Sequence, residues 1–575
     1  MKLLLRRALF IFAVLLLQPI ARLHAKPSGQ CSDAELLIRN AKIITMDRTH
    51  SIATSMAIRD SHILAVGSDA KLASCAGPRT QSLDLQGHVV LPGLIDVHTH
   101  ALEWAKNLLR NDVDPGYPKV HSIAEITKLI AERASTLPSG KWIRGAGWDE
   151  SKLAERRYIT RKDLDAVAPN NPVWLEHFTG HLGVANTRAL ELAHLTRDTP
   201  TPSGGVIDKD GSGEPTGVLK DTAQLLVQAV LPPDRPDLAL KAVRLVTQKA
   251  LEVGLTTIHD ICLPADSMRA YQQARREGWL KLRVQMAPLV SSVAEAQALA
   301  DAGVYTGFGD DYLKLGAVKM FADGGMAAKT IAVYEPAAGE PGNLGLLIWK
   351  PEDMQKAQHI LAAAGWQLET HAIGDRAIDA VLDSYQSVMQ DLGLKEPRFR
   401  IVHASFSTPA IQKRLGDLHV LVDGNPAFVY WLGAFFSKYG SQRVRWTYPA
   451  KSYFDNGIVA AGTSDVYVTP ISPWWGIWAL VARREMQSGQ ILAPEERVSI
   501  VQALEMYTRN PAYSGFEENQ KGSLKPGKLG DFIVVDRDVL HVPADELKDV
   551  QVLKTFVGGE LISTKAVPRK LARRP

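Results

Sequence analysis

The chain is poor in cysteine, with only Cys31, Cys75 and Cys262 among 575 residues. So few thiols exclude a cysteine-rich metal site and a disulfide scaffold. Cys31 and Cys75 could pair in an oxidising compartment, and the sequence leaves that pairing open. Long apolar runs are also missing. The longest, Ala8 to Leu17, is short of the roughly 18–20 residues that span a bilayer, so no stable membrane span is expected. Excess charge is absent from the body of the chain. The formal net charge is +4, and Lys2, Arg6, Arg7 and Arg22 account for all of it. A near-neutral remainder with no basic run gives no reason to expect nucleic acid as a partner. No internal repeat or low-complexity tract stands out.

What is present is ordinary globular composition, 46% hydrophobic and 22% charged, at a length that suits one large domain and a smaller one. Residues 1–25 read as a signal peptide. Lys2, Arg6 and Arg7 form the basic region, Ala8 to Leu17 the apolar region, and Leu23-His24-Ala25 the cleavage site. The expected location is therefore periplasmic or secreted, with an uncleaved anchor as the rival. Residues 26–90 read as short strands at 34–38, 41–46, 62–67 and 88–90. Strand-like chemistry returns in 516–575, at 531–536, 550–556 and 560–562. Neither piece makes a comfortable core alone, so the two are expected to form one β-sandwich.

Residues 91–515 alternate strands with helical stretches, the rhythm of βα units. Candidate strands lie at 94–98, 255–260, 282–287, 314–321, 366–371, 399–403, 419–423 and 458–465. Eight such strands predict an α/β fold, a (β/α)8 TIM barrel. The segment 101–253 is too long for one crossover and reads as a cap-like insertion after the first barrel strand.

Leu91 to His100 ends in His98-x-His100. Side chains alternate along a strand, so these two imidazoles share a face. Converging imidazoles suit a zinc-type ion. Other polar residues close apolar strands at the same end: His371, His403 and Asp465. Lys319 sits inside the fourth strand, where an unpaired ammonium is costly. Each alone reads as a satisfied core group or a turn residue. Together they point to one site at the C-terminal rim of the barrel.

The order His-x-His, Lys, His, His, Asp resembles the amidohydrolase superfamily of metal-dependent hydrolases. Three stretches narrow the resemblance to the amidohydrolase-3 branch, which includes N-substituted formamide deformylases. They are Gly180-His181-Leu182-Gly183-Val184-Ala185-Asn186, Gly213-Glu214-Pro215-Thr216-Gly217 and Lys319-Met320-Phe321-Ala322-Asp323-Gly324. The resemblance implies that His98, His100 and Asp465 hold one metal and that His371 and His403 hold a second. Lys319 would bridge them as a CO2-derived carbamate. The expected cofactor is Zn2+, one or two ions, with other divalent metals open. Asp465 would take a proton from the metal-activated water and pass it to the leaving amine. His181 is a second candidate catalytic group, orienting the scissile carbonyl.

The branch pattern is broken at Gly325, where a small hydroxyl residue is common, and at Asn425-Pro426, where Gln-Pro is usual. Both are expected near the mouth, so both departures bear on substrate choice. Trp148, Phe321, Tyr334, Phe428, Trp431, Tyr467, Trp474 and Trp475 fall on expected loops and suit a small-molecule substrate with an apolar or aromatic group. The expected reaction is hydrolysis of a non-peptide C–N bond of the N-acyl or N-formyl amide type. Ester or lactone hydrolysis on the same site and a non-catalytic exported binding or sensor protein are the alternatives. The oligomeric state is open between monomer and homodimer.

Overall fold

A computed structural model describes residue 31 and residues 33–262 and 265–564. The signal-peptide expectation lies outside these residues. The eight expected strands of the central region are all present. We number them β1 (Leu94–Thr99), β2 (Leu255–Cys262), β3 (Arg283–Pro288), β4 (Leu313–Leu315 and Val318–Phe321), β5 (Leu368–Ala372), β6 (Arg400–His403), β7 (Leu421–Gly424) and β8 (Ala460–Gly462). All their pairings are parallel. Most of their residues are buried on both faces, as parallel strands covered by helices require.

β4 departs from the expected single strand. It breaks at Gly316-Ala317, and its two halves belong to different sheets. The first half continues β1-β2-β3, and the second begins β4-β5-β6-β7-β8. The halves stay stitched together, because Gly316 N–H donates to Met286 O at 2.8 Å and Val290 N–H to Lys319 O at 3.0 Å. At the far edge β1 and β8 are joined mainly through side chains. Asp96 of β1 accepts from Ser464 N at 3.0 Å and Ser464 Oγ at 2.6 Å, just beyond β8.

Residues from the two chain ends pack face to face. One sheet holds four strands from residues 36–84, and the other holds six strands that include Val89–Pro92, Phe532–Val535 and Val552–Val557. Ile38, Met56 and Ile58 of the first meet Val90, Phe532 and Phe556 of the second in one apolar cluster. Burying each such side chain contributes about 1.5–3 kcal/mol. Three strands here, Ile52–Ala53, Ser55–Arg59 and Gln81–Asp84, were not among those expected from the sequence. Arg283 at the start of β3 clamps this unit to the parallel strands, its guanidinium donating to both oxygens of buried Asp531 at 2.6 and 2.9 Å. Cys31 and Cys75 are joined as a disulfide.

The segment after β1 builds a five-stranded sheet from Ile143–Trp148, Val173–His177, Leu182–Ala185, Gly205–Lys209 and Pro215–Asp221. The last two form an antiparallel hairpin. One apolar cluster of this sheet includes Met326, Phe406 and Phe428, which follow β4, β6 and β7, so this segment is seated near the ends of those strands. The flanks of the segment behave differently. Helices Ala101–Arg110 and Leu238–Glu252 pack into the central core. Among the described residues no helix is long and apolar enough to cross a membrane.

Candidate metal centre

The first strand delivers His98 from its end and His100 from the N-terminus of the helix that follows. Asp260 of β2 holds that corner by accepting Ala101 N–H at 2.7 Å and Leu102 N–H at 3.3 Å, a carboxylate at a helix N-terminus. Asp465 follows β8 in the left-handed region, with φ +50°. This turn brings its carboxylate back over β1. Asp465 Oδ1 lies 3.5 Å from His98 Nε2 and 3.4 Å from His100 Nε2. Buried Oδ1 receives no hydrogen bond of good geometry.

Lys319 is fully buried on β4, its Nζ 3.4 Å from His98 Nε2 and 4.8 Å from the centre of the Phe321 ring. His371 closes β5 and His403 closes β6. Their ring centres are 4.5 Å apart, and His403 is 5.9 Å from His98. Five of the six expected ligands are therefore linked by these distances around His98, with His371 joined through His403.

Electrostatics prepare these groups for a cation. Burial pulls the imidazoles of His100 and His403 down to about 3, and burial beside His403 pushes His371 well down too. Neutral imidazoles keep a lone pair for coordination. His98 goes the other way. Burial and Lys319 oppose its protonation, but the nearby carboxylates of Asp465 and Glu369 outweigh them. Asp465 stays well below the ordinary carboxylate range despite its burial, because His98 and the other nearby imidazoles favour the anion. Burial lowers the Lys319 ammonium to about 8, against the pull of Glu369 and Asp465. A larger fraction of neutral amine results, the form that reacts with CO2.

Groups outside the expected set orient the ligands. Glu369 Oε1 takes the His98 Nδ1 hydrogen at 2.6 Å, and its Oε2 accepts from Arg400 at 2.5 Å. Arg400 also meets Asp423 at 2.9 Å. Glu369 had a legible signal: it is a charge in an apolar strand, two residues before His371 and on the same face. Asp323 sits 3.4 Å from His371 Nε2 and is held by the backbone N–H groups of Ala332, Ile373 and Gly374. Asn425 does not face the cavity mouth as its position suggested. It is buried, and its Oδ1 accepts from His403 Nδ1 at 2.6 Å. Such partners fix ring orientation and ligand basicity.

His181 arrives from the insertion. Its ring lies 5.1 Å from that of His371, and its Nδ1 is 2.8 Å from Asp221 Oδ1. Asp221 is itself strained, at φ 48° and ψ −125°. No sequence signal marked it. Gly325 explains one departure from the branch pattern: a Cβ there would come within 2.5–2.7 Å of His181. The missing side chain is the space the ring occupies.

A cavity of about 660 Å3 opens over the site, lined by His100, His181, Phe321, Trp349, Asp465 and Tyr467 among others. This is the size of a small-molecule pocket. A narrow apolar side chamber with Phe428, Phe436 and Tyr448 adjoins His403 and Asp465. Of the expected aromatics, Phe321, Phe428 and Tyr467 border these spaces. Trp431 lines a separate cavity. Trp148 and Trp474 are core, Tyr334 is exposed, and Trp475 stacks on Tyr430.

The sequence matches the amidohydrolase family over residues 81–563. The chain belongs to the amidohydrolase family. It is 31% identical to an N-substituted formamide deformylase of Arthrobacter pascens, over 92% of this chain and 98% of that one. It is 33% identical to Protein LONG AFTER FAR-RED 3 of Arabidopsis thaliana, over 92% and 91%. An uncharacterised metal-dependent hydrolase from Pyrococcus horikoshii superposes with a TM-score of 0.71 at 24% identity, covering 89% of this chain and 99% of that one. This amidohydrolase is an enzyme that hydrolyses carbon–nitrogen bonds other than peptide bonds.

Proposed function

We propose that this amidohydrolase is an exported, divalent-metal-dependent enzyme that hydrolyses N-acyl or N-formyl amides. The observation that carries the proposal is the pair of imidazole nitrogens 3.4–3.5 Å from a buried carboxylate oxygen that lacks a hydrogen-bond donor. That donor set fits a divalent cation, Zn2+ in our reading. His98, His100 and Asp465 would hold one ion, and His371 and His403 a second. Lys319, as a carbamate, would lie between them. Bound there, the metal supplies Lewis acidity that activates water and polarises the scissile carbonyl. In the same reading, β1–β8 close into a (β/α)8 barrel over 91–515, with the five-stranded sheet inside 101–253 as its cap. The segments 26–90 and 516–575 complete a β-sandwich.

The chain's own residues would do the remaining work. Asp465 accepts a proton from the attacking water and returns it to the leaving nitrogen. His181, braced by Asp221, faces the substrate carbonyl. Phe321, Trp349 and Tyr467 offer the bound molecule an apolar wall, which supports a substrate with an apolar or aromatic group. The Cys31–Cys75 disulfide and the N-terminal signal pattern support export.

The test is a panel of N-formyl and N-acyl amines, with esters and lactones alongside, on enzyme supplied with zinc and bicarbonate. Hydrolysis of amides is expected, and Asp465→Asn should keep its fold and lose about 10²–10⁴-fold in turnover. A protein that purifies without metal and stays inert on the whole panel would be a binding protein instead.

A further inference from the structure

The loop that carries His181 also holds a histidine that the metal chemistry does not use. His177 ends the strand Val173–His177 and is fully buried. Its Nε2 lies 2.8 Å from Glu150 Oε2, and its Nδ1 lies 2.8 Å from Thr179 Oγ1. A carboxylate only accepts, so Nε2 carries the hydrogen. The backbone N–H of Thr179 donates to Nδ1 at 3.3 Å, so Nδ1 carries the lone pair. The Thr179 hydroxyl therefore donates to Nδ1. Hydroxyl, imidazole and carboxylate are joined in the polarity of a nucleophile–base–orienter array.

Thr179, the residue at the hydroxyl end of this chain, borders the cavity over the site. Thr179 lines both the 660 Å3 cavity and the apolar side chamber, together with His181, His403 and Asp465. Glu150 at the other end is only slightly exposed. Asp149 lies beside Glu150 and His177, their ligand atoms within 4.8 Å of one another. His177 has no lone pair left over for a cation, so this cluster is better suited to moving protons than to holding metal.

We propose that Glu150, His177 and Thr179 form a proton relay for the leaving amine, an inference that rests on the amide-hydrolase reading. Hydrolysis to carboxylate and ammonium moves two protons from water to nitrogen, and Asp465 handles one. The other starts on the hydroxyl newly bonded to the acyl carbon. It passes to Thr179 Oγ1 as the proton of Thr179 shifts to His177 Nδ1, and Glu150 stabilises the imidazolium. As the C–N bond breaks, the shift reverses and Thr179 releases a proton to the departing nitrogen. The carbon–oxygen bond is kept, and the relay ends as it began.

The test compares two substrates of the metal-loaded enzyme: an N-acyl alkylamine and the p-nitrophenyl ester of the same acid. The first leaving group needs a proton and the second does not. Thr179→Val should lower kcat on the amide by about 10²–10⁴-fold, the usual span for general acid–base catalysis, and leave the ester rate nearly unchanged. Thr179→Ser should restore the amide rate, and Glu150→Gln should reproduce the selective loss in weaker form. Equal losses on both substrates, or no loss on the amide, overturn the relay alone. An acyl adduct on Thr179 by intact mass would make that residue a nucleophile and also overturn it. Wild-type enzyme inert on the amide overturns the amide reading itself.

Discussion

Replacing Gly325 by alanine probes the placement of His181 without touching the histidine. The added Cβ would fall 2.5–2.7 Å from Cγ, Cβ and Cδ2 of the His181 side chain, against an ordinary contact distance of 3.4 Å or more. The ring must therefore retreat by roughly 0.7–0.9 Å, the shortfall in those distances. Its retreat is constrained, because Nδ1 is tied to Asp221 and the ring faces His371. A displacement near 1 Å at a positioning group costs about 10²-fold in rate. That corresponds to about 2.7 kcal/mol in the barrier. The assay is kcat/KM on an N-acyl amine, with metal content and thermal melting measured in parallel. A drop near 10²-fold with unchanged metal content is expected. Full activity in Gly325→Ala would refute the view that the position of His181 matters.

Other perturbations separate metal orientation from stability. Glu369→Gln removes the anion behind His98, so metal affinity should fall about 10–100-fold by competitive chelation. Unchanged affinity would reduce Glu369 to a partner of Arg400. Asn425→Leu should weaken metal retention in the same assay by freeing the His403 ring, and no change would make that bond incidental. Acid should destabilise the fold through Glu517. Its carboxyl is held at about 2, since Lys521 and Lys314 outweigh its burial. A depressed folded pKa contributes stability above the unfolded value near 4.5, and that stability is lost as pH falls toward 2. The melting-temperature gap between wild type and Glu517→Gln should thus narrow below pH 4.5. A constant gap from pH 7 to 3 would contradict the assignment.

Much of this arrangement was already written along the chain. The βα rhythm placed all eight central strands, because buried parallel strands must be apolar and bounded by turns. His98, His100, Lys319, His371, His403 and Asp465 stood out as polar groups where apolar ones were due. Residues whose role depends on partners far along the chain were not legible. Asp221 ends a hairpin and looks like any turn residue, yet its strained backbone braces His181. Asn425 looked like part of the mouth, yet the fold turns it inward to His403.

Local pattern alone therefore determined which residues line up on the strands and which chemistry they carry, since period-two alternation and burial act over a few neighbours. Only folding decided how that chemistry is oriented. It split β4 at Gly316, turned Asp465 back through a left-handed residue, and set Glu369 behind His98 across 271 residues of sequence. It also brought Glu150, His177 and Thr179 into one hydrogen-bonded row beside the cavity that Thr179 lines. The physical reason is that a hydrogen bond or a cavity wall is a distance in space, and strand periodicity specifies a face without naming what will meet it.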